Sequence, residues 1–146
     1  MITTRVYDPQ QQPTTDETSA LVNFLFEHLQ AFGDPKAHIQ KAIGYATKAF
    51  TSFGGFVIVL EEDTTIKGIV VVNQTGMGGY IPENILVYIA THKDYRGQGL
   101  GKTLMQQAIS QAKGDIALHV EANNPAIQLY KKLGFTNPYL EMRLKK

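Results

Sequence analysis

The sequence predicts an α/β fold in which one mixed β-sheet is flanked by about four helices. Runs of β-branched and aromatic residues alternate with segments whose apolar residues recur every three or four positions. The resulting order is β, α, α, β, β, β, α, β, α, β, and its strand–helix–strand unit between Ile85 and Val120 is typical of a parallel crossover. With 43% hydrophobic residues among 146, the chain can bury the core of a single domain.

The first part of the chain is predicted to hold one strand and two helices. A short strand covers residues 2–7. Thr14 and Glu17 have the spacing of a capping box, so the first helix is expected to start there and to end at Gly33. Asp34-Pro35 then predicts the second helix, with the aspartate as its N-cap and the proline as its first helical residue.

The remaining elements follow from apolar runs and from the positions of glycine and proline. Three β-rich runs predict consecutive strands, the first of them apolar enough to be covered on both faces. These strands are residues 56–60, 66–72 and 85–91. An apolar stripe over residues 100–112 predicts a third helix, and residues 116–120 predict a strand. Asn124-Pro125 predicts the start of a fourth helix that ends at Gly134, and the alternation over residues 140–144 predicts a last strand.

Composition limits the kinds of partner and location. The formal net charge is +1, from 14 basic and 13 acidic side chains, so the chain has no electrostatic footprint for nucleic acid. No apolar run reaches the length that spans a membrane, and we expect no membrane partner. The chain has no cysteine, which excludes disulfides and thiol chemistry and is compatible with a reducing compartment. We therefore expect a cytoplasmic globular protein.

The most informative stretch is a glycine-rich loop at residues 97–102, between a predicted strand and a predicted helix. Gly97, Gly99 and Gly101 let a ligand approach the main chain closely, and the first amides of a helix have no internal partner. The helix dipole adds positive potential there, so the pattern predicts a phosphate cradle. A nucleotide-triphosphatase loop would need glycine in place of Arg96, and a dinucleotide fingerprint would need it in place of Lys102.

Two motifs resemble the signatures of the GCN5-related N-acetyltransferases, the GNAT family. The first is Arg96-x-x-Gly99-x-Gly101 after a β-run. The second runs from Asn123 through Ala126, Leu129 and Tyr130 to Leu133-Gly134-Phe135. The resemblance covers most of the chain and is tightest over residues 85–135. It implies a single N-acetyltransferase domain over residues 1–146, with a central twisted mixed sheet whose fourth and fifth strands splay apart. It also implies acetyl-CoA as co-substrate. No histidine or carboxylate cluster in the sequence has metal-ligand spacing, so we expect no metal.

The resemblance implies roles for particular residues. Pantetheine would pair with the strand edge, pyrophosphate would sit on the loop amides, and Asn123 would hydrogen-bond near the pantetheine. The implied cofactor-binding residues are Ile89, Ala90, Thr91, Arg96, Gly97, Gln98, Gly99, Leu100, Gly101, Lys102 and Asn123. Tyr130 would protonate the departing thiolate as a general acid, after direct attack by the acceptor amine. On periodicity alone, Tyr130 fits an ordinary core tyrosine better, and only the family motif favours the catalytic role.

Several points stay open at this level. Asn123 is preferred to Asn124 because it lies seven residues before Tyr130, which is the family's spacing. Residues 85–90 contain no acid where the family often has a glutamate, and Tyr88 is the only polar side chain among them. Glu83, His119, Glu121 and water are candidates for the general base.

The missing acid also motivates an alternative function, a non-catalytic module that binds or senses acyl-CoA. The acceptor would be a small-molecule amine or a protein amine, with Tyr80 and Tyr88 as candidate contacts. The protein would be a monomer or a homodimer. We expect His28 and His38 to lie on solvent-exposed helix surfaces, and His92 to mark a strand end.

Overall fold

The computed structural model describes residues 1–146 and contains one five-stranded sheet in the order β1–β2–β3–β4–β5. The strands are β1 (Thr3–Tyr7), β2 (Gly55–Glu62), β3 (Thr65–Gln74), β4 (Asn84–Thr91) and β5 (Ile116–Leu118). The first four are antiparallel to their neighbours, whereas β4 and β5 are parallel. The predicted mixed sheet with a parallel crossover is therefore confirmed.

Four α-helices flank this sheet, as predicted. They are α1 (Thr15–His28), α2 (Lys36–Thr47), α3 (Leu100–Gln111) and α4 (Ile127–Lys132), with 3₁₀ turns at Gln30–Phe32 and Lys93–Tyr95. The capping box of α1 is present, because Glu17 N–H donates to Thr14 Oγ1 at 3.1 Å and Thr14 N–H donates to Glu17 Oε1 at 2.9 Å. The predicted N-cap of α2 is wrong: Pro35 caps this helix, and Asp34 lies before it.

The sheet separates two apolar cores. One core joins α1 and α2 to one face, around the fully buried Leu25, Ile39 and Ile43. The other joins α3 and α4 to the opposite face, around Leu104 and Met105. Residues 56–60 of β2 are buried throughout, because successive side chains point into the two cores alternately. The prediction that the strand at residues 56–60 is covered on both faces is therefore confirmed.

The partner strands of β4 determine where the sheet opens. A register shift in β3 between Val71 and Val72 leaves Val87 without a partner on β3, so β4 carries a bulge there. On the other side, β5 pairs only with residues 84–86 of β4. From Val87 onward that edge of β4 has no partner strand, and the two strands part as the resemblance implied.

The end of the chain departs from the prediction. No strand forms over residues 140–144, and the last turn of regular structure is α4. The large apolar side chains there are exposed, among them Leu140 at 85%, Met142 at 92% and Leu144 at 82%. Alternation of apolar and polar residues favours a strand where one face of that strand packs on a core. Neither apolar core includes a residue of this segment. The strand at 116–120 is also shorter than predicted, ending at Leu118.

Candidate active site

The glycine loop has the backbone that a phosphate site needs. Gly97 has φ +81° and Gly99 has φ +77°, a left-handed conformation that side-chain-bearing residues rarely adopt. A Cβ on either residue would meet no atom within 4 Å, so both face open space. Gly101 differs, since its Cβ would stand 3.6 Å from Leu129 and 4.0 Å from Thr91. The loop therefore exposes bare main chain just before and at the start of α3.

The amides of this loop are available to a ligand. The N–H groups of residues 97–102 donate to no acceptor in the chain. Helical hydrogen bonding starts with Thr103, whose N–H donates to Gly99 O at 3.0 Å. Gly99 is the N-cap of α3 and has no side chain to occupy these amides. Six consecutive donors at the positive end of a helix dipole fit a phosphate or pyrophosphate group.

The side chain of Arg96 is directed away from these amides. Its guanidinium donates to His28 O at 2.8 Å, to Gln30 Oε1 at 3.2 Å and to Thr91 O at 3.4 Å. It therefore anchors the loop to the carboxyl end of α1, where a cation is also favoured by the helix dipole. The geometry favours a structural role for this side chain, in place of the direct ligand contact that the resemblance implies.

His28 was expected on an exposed surface, and this prediction is wrong. The residue is 4% exposed because the last turn of α1 packs against the segment that precedes the glycine loop. Its Nδ1 accepts the N–H of Lys93 at 3.1 Å. The sequence signal was weak, since one histidine on an amphipathic helix does not reveal which later segment will cover it.

The edge of β4 that faces away from β3 offers main-chain groups to an extended ligand. His92 N–H donates to Lys67 O at 2.8 Å, which fixes the alternation of the antiparallel ladder. By that alternation Ala90 exchanges hydrogen bonds with β3, whereas Ile89 and Thr91 direct their N–H and C=O groups to the free edge. The side chain of Ala90 is buried in the core of α1 and α2. The geometry thus favours Ile89 and Thr91 as the pairing residues.

Tyr130 lies beside the start of α3. It is 6% exposed and belongs to the same core cluster as Leu100 and Leu104, with its ring centroid 5.9 Å from that of Phe135. Its hydroxyl makes no hydrogen bond within the chain. The hydroxyl oxygen is not completely buried, so it can reach a ligand or solvent. Burial raises the pKa of this phenol, so it stays protonated at neutral pH. A core tyrosine with an unused hydroxyl donor beside the loop is suited to proton donation.

The two adjacent asparagines have different surroundings. Asn124 Oδ1 accepts the N–H of Ala126 at 2.9 Å, which closes a turn before α4. The helix itself begins later than predicted, at Ile127. Asn123 is exposed, and its side chain makes no hydrogen bond within the chain. The local turn therefore occupies Asn124 and leaves Asn123 available to a ligand.

The acidic and basic candidates for proton abstraction lie in different places. Glu83 accepts the N–H groups of Asp115 at 2.8 Å and Gly79 at 3.4 Å, and these bonds lower its pKa. It precedes β4, at the end remote from the glycine loop, and ties two turns together. His119 and Glu121 are exposed just beyond the end of β5. Of these three, Glu83 has the clearest structural role.

A further carboxylate, that of Asp34, was missed at the sequence level. The hydroxyl of Tyr88, on β4 next to the bulge, donates to Oδ2 of Asp34 at 2.5 Å. Burial and the neighbouring carboxylate both raise the pKa of Tyr88, so its hydroxyl remains a donor. Asp34 is exposed on the linker between α1 and α2. Its position before proline indicated only a helix cap, and no local pattern indicates a partner 54 residues away. Tyr80, the other tyrosine considered for the acceptor, is 80% exposed in the loop before β4.

Two concave regions lie elsewhere on the surface. One, of about 470 Å³, is bordered by Asp8, Lys48 and Lys113. The other, of about 400 Å³, is bordered by Lys41 and Phe50. Neither includes the glycine loop or Tyr130.

A mixed sheet that opens between β4 and β5, with a bare glycine loop at the start of α3, gives this α/β protein the fold of the acetyltransferase (GNAT) domains. A sequence model of the acetyltransferase (GNAT) domain matches residues 53–137. The chain belongs to this family.

Solved structures share the fold across the whole chain. A GNAT-family acetyltransferase from Streptococcus pneumoniae is 15% identical, with coverage of 100% and 98% of the two chains and a TM-score of 0.69. The ribosomal-protein-S18-alanine N-acetyltransferase of Escherichia coli is 21% identical, with coverage of 95% of this chain and 80% of that one and a TM-score of 0.70. A transcriptional regulator from Bacillus halodurans is 20% identical over both full chains, also with a TM-score of 0.70.

Among the curated relatives, a mouse protein matches over part of the chain. The mouse cysteine-rich protein 2-binding protein is 35% identical over 54 residues, which are 36% of this chain and 7% of that protein. The chain thus covers only a small part of this relative. None of the helices combines the length and the apolar character that crossing a membrane requires.

Proposed function

We propose that the protein transfers an acetyl group from acetyl-CoA to a primary amine. The observation that carries this proposal is the set of six unpaired amides at residues 97–102. They follow the free edge of β4 and lead into α3, whose Leu100 shares a core cluster with the buried Tyr130. Pyrophosphate suits the amides, and an extended pantetheine arm suits the edge. The family relationship supports the same assignment.

The residues present fit this co-substrate. The amides of residues 97–102 would hold the pyrophosphate, and Lys102 adds an exposed positive charge in the first turn of α3. Ile89 and Thr91 would pair with the pantetheine through their main chain, and the exposed Asn123 would complete the contact. Bound acetyl-CoA supplies an activated thioester carbonyl.

The proposed chemistry is direct transfer without a covalent enzyme intermediate. The neutral acceptor nitrogen attacks the thioester carbonyl, and an outward N–H of the β4 edge stabilises the developing oxyanion. A C–N bond forms and the C–S bond breaks. The Tyr130 hydroxyl gives its proton to the departing sulfur, as a general acid. The proton that the amine nitrogen still carries then passes to the Tyr130 phenolate, which restores the general acid.

The acceptor amine is proposed to enter beside Asp34 and Tyr88. The exposed carboxylate attracts an ammonium group, and Tyr88 holds that carboxylate close to the bulge of β4. The linker carboxylate thus replaces the acid that β4 lacks as the candidate group that binds the amine and receives its proton. Small-molecule and protein amines both fit this open site, in a monomer or a homodimer.

The test combines acetyl-CoA binding by calorimetry with thiol release over a panel of amines. Binding together with amine-dependent thiol release and an acetylated product supports the proposal. Binding without release over any amine supports the second candidate function, a non-catalytic acyl-CoA-binding module, which the absence of an acid in residues 85–90 favours. Absence of binding at millimolar acetyl-CoA contradicts both.

A further inference from the structure

The segment that leads into the glycine loop is held by two stacked histidines. His28 Nδ1 accepts the N–H of Lys93, and His92 Nδ1 accepts the N–H of Asp94, both at 3.1 Å. The two imidazole rings lie with centroids 4.2 Å apart. Each acceptor is a ring nitrogen lone pair, which protonation of that nitrogen removes. The position of residues 93–94 therefore depends on neutral rings.

His28 holds this segment at both ends. Its ring binds Lys93, and its carbonyl oxygen accepts from the guanidinium of Arg96 at 2.8 Å. The ring is buried and packs on Phe24, with centroids 4.5 Å apart. Between the two ends, the ammonium of Lys67 lies 3.1 Å from the centroid of the Tyr95 ring. We call the contacts of His28 and His92 with residues 93–96 the histidine clasp. Because Arg96 directly precedes the amides of residues 97–102, the clasp positions the first of these amides.

The charged surroundings of His28 favour its neutral ring. Glu27 Oε2 lies 3.6 Å from His28 Nε2 and is the only carboxylate that stabilises a charged His28 ring. Burial, His92, Arg96 and Lys93 act in the opposite direction, and together they lower the pKa of His28.

The surroundings of His92 are also defined. Its ring faces His28 on one side and the edge of Tyr95 on another, at a centroid distance of 4.8 Å. The ammonium of Lys67 lies over the Tyr95 ring, which in turn contacts His92. The main-chain N–H of Asp94 donates to His92 Nδ1. Protonation of His28 thus brings a charge into a buried site near the cations of Arg96 and Lys93.

We propose that His28 and His92 are positioning residues for the glycine loop: their neutral rings hold residues 93–96, and protonation of His28 releases this segment and weakens binding of a phosphate-bearing ligand. The effect on the ligand rests on the proposed function. The clasp itself is measurable in the ligand-free protein.

Two variants of His28 distinguish the effect of losing the hydrogen bond to Lys93 from the effect of protonating the ring. His28→Asn places an amide oxygen where Nδ1 stands, so it accepts the Lys93 N–H but does not titrate. His28→Phe fills the space without an acceptor. The first measurement is the hydrogen-exchange protection factor of the Lys93 and Asp94 amides without ligand, at pH 7.5 and pH 5.5. The second is the dissociation constant of CoA by calorimetry at the same two pH values.

The wild-type protein is expected to lose protection at Lys93 by about tenfold on acidification, since one net hydrogen bond is lost. His28→Asn is expected to keep that protection at both pH values, and His28→Phe to lack it at both. CoA affinity should fall about tenfold more in the wild-type protein than in His28→Asn over this range. The comparison between these two proteins removes the titration of the ligand's own phosphate.

Equal pH dependence of protection in the wild-type protein and His28→Asn overturns the proposal, even if His28→Phe fails to fold. Equal CoA titration in the two folded proteins overturns the link from clasp to loop. If protection of the Lys93 amide changes with pH as expected while neither the wild-type protein nor any variant binds CoA, the role of the two histidines is supported and the proposed function is contradicted. The two failures are therefore distinguishable.

Discussion

The hydroxyl of Tyr88 donates a hydrogen bond to the carboxylate of Asp34 at 2.5 Å and so fastens the α1–α2 linker to β4. Tyr88 follows the bulge at Val87, where the two parallel strands have just separated. An exposed acid therefore lies on the side of β4 that α1 and α2 cover, although β4 itself has none at its centre. This relationship makes the linker a source of negative charge for an incoming amine.

Asp34→Asn should weaken use of the amine acceptor and leave acetyl-CoA binding unchanged. The substitution removes the charge but keeps an oxygen that can accept from Tyr88. A unit charge pair at 4 Å contributes about 1 kcal/mol in water and more at a partly dry surface, so we expect KM for the amine to rise about five- to tenfold. Steady-state kinetics with the amine varied measures this.

Tyr88→Phe is the matched control for that substitution. It removes the hydrogen bond and keeps the carboxylate charge, so its KM for the amine should rise less than that of Asp34→Asn. Because the pKa of Tyr88 is raised, its hydroxyl carries no charge at neutral pH and contributes none to this comparison. An unchanged KM in Asp34→Asn would remove the linker carboxylate from the acceptor site.

Gly99→Glu should abolish CoA binding. The new side chain enters the open space above the loop amides and brings a negative charge to the phosphate position. Repulsion at about 4 Å costs about 4 kcal/mol near a protein surface, which corresponds to a loss of more than about a hundredfold in affinity. Calorimetric titration with CoA is the measurement.

Gly79→Glu provides the control. Gly79 has φ +79°, against +77° at Gly99, and a Cβ there also meets nothing within 4 Å. The backbone strain of about 1–2 kcal/mol is therefore common to both variants. Comparable melting temperatures with CoA binding kept only in Gly79→Glu would assign the loss to the phosphate site. Retained binding in Gly99→Glu would place the phosphates elsewhere.

The parts of the fold that follow from local periodicity were predictable. The apolar runs of β2, β3 and β4 and the capping box of Thr14 and Glu17 required no knowledge of distant contacts. The glycine loop was equally visible, because positive φ at Gly97 and Gly99 requires a particular residue type.

The long-range pairs were not predictable from the same patterns. Asp34 before a proline reads as a helix cap, and only the folded chain shows that it meets Tyr88. Arg96 belongs to the motif that implies cofactor binding, and the pattern gives no sign that its guanidinium donates to His28 O at the end of α1 and to Gln30 Oε1. The buried position of His28 has the same origin, since the segment that covers it follows 65 residues later.

The predicted last strand gives a separate test of stability. Combining Leu140→Ser, Met142→Ser and Leu144→Ser should change the free energy of unfolding by less than about 0.5 kcal/mol, because all three side chains are exposed. Chemical denaturation measures this, and Leu104→Ala, at a residue that is 0% exposed, should cost about 2–5 kcal/mol as the control. A loss of about 2 kcal/mol or more in the triple variant would show that this segment is buried in solution.

Tyr130→Phe should lower kcat about a hundredfold, as expected for loss of a general acid, with little change in acetyl-CoA affinity. The hydroxyl makes no hydrogen bond within the chain, so the free energy of unfolding should change by less than about 0.5 kcal/mol. Rapid-mixing measurement of thiol release, together with CoA titration, checks both expectations.

Burial raises the pKa of Tyr130 above its usual value of about 10, so the phenol holds its proton below that pH. A fall in kcat as pH decreases from 8 to 6 would therefore belong to another group and should persist in Tyr130→Phe. An unchanged kcat in this variant would make Tyr130 a packing residue alone.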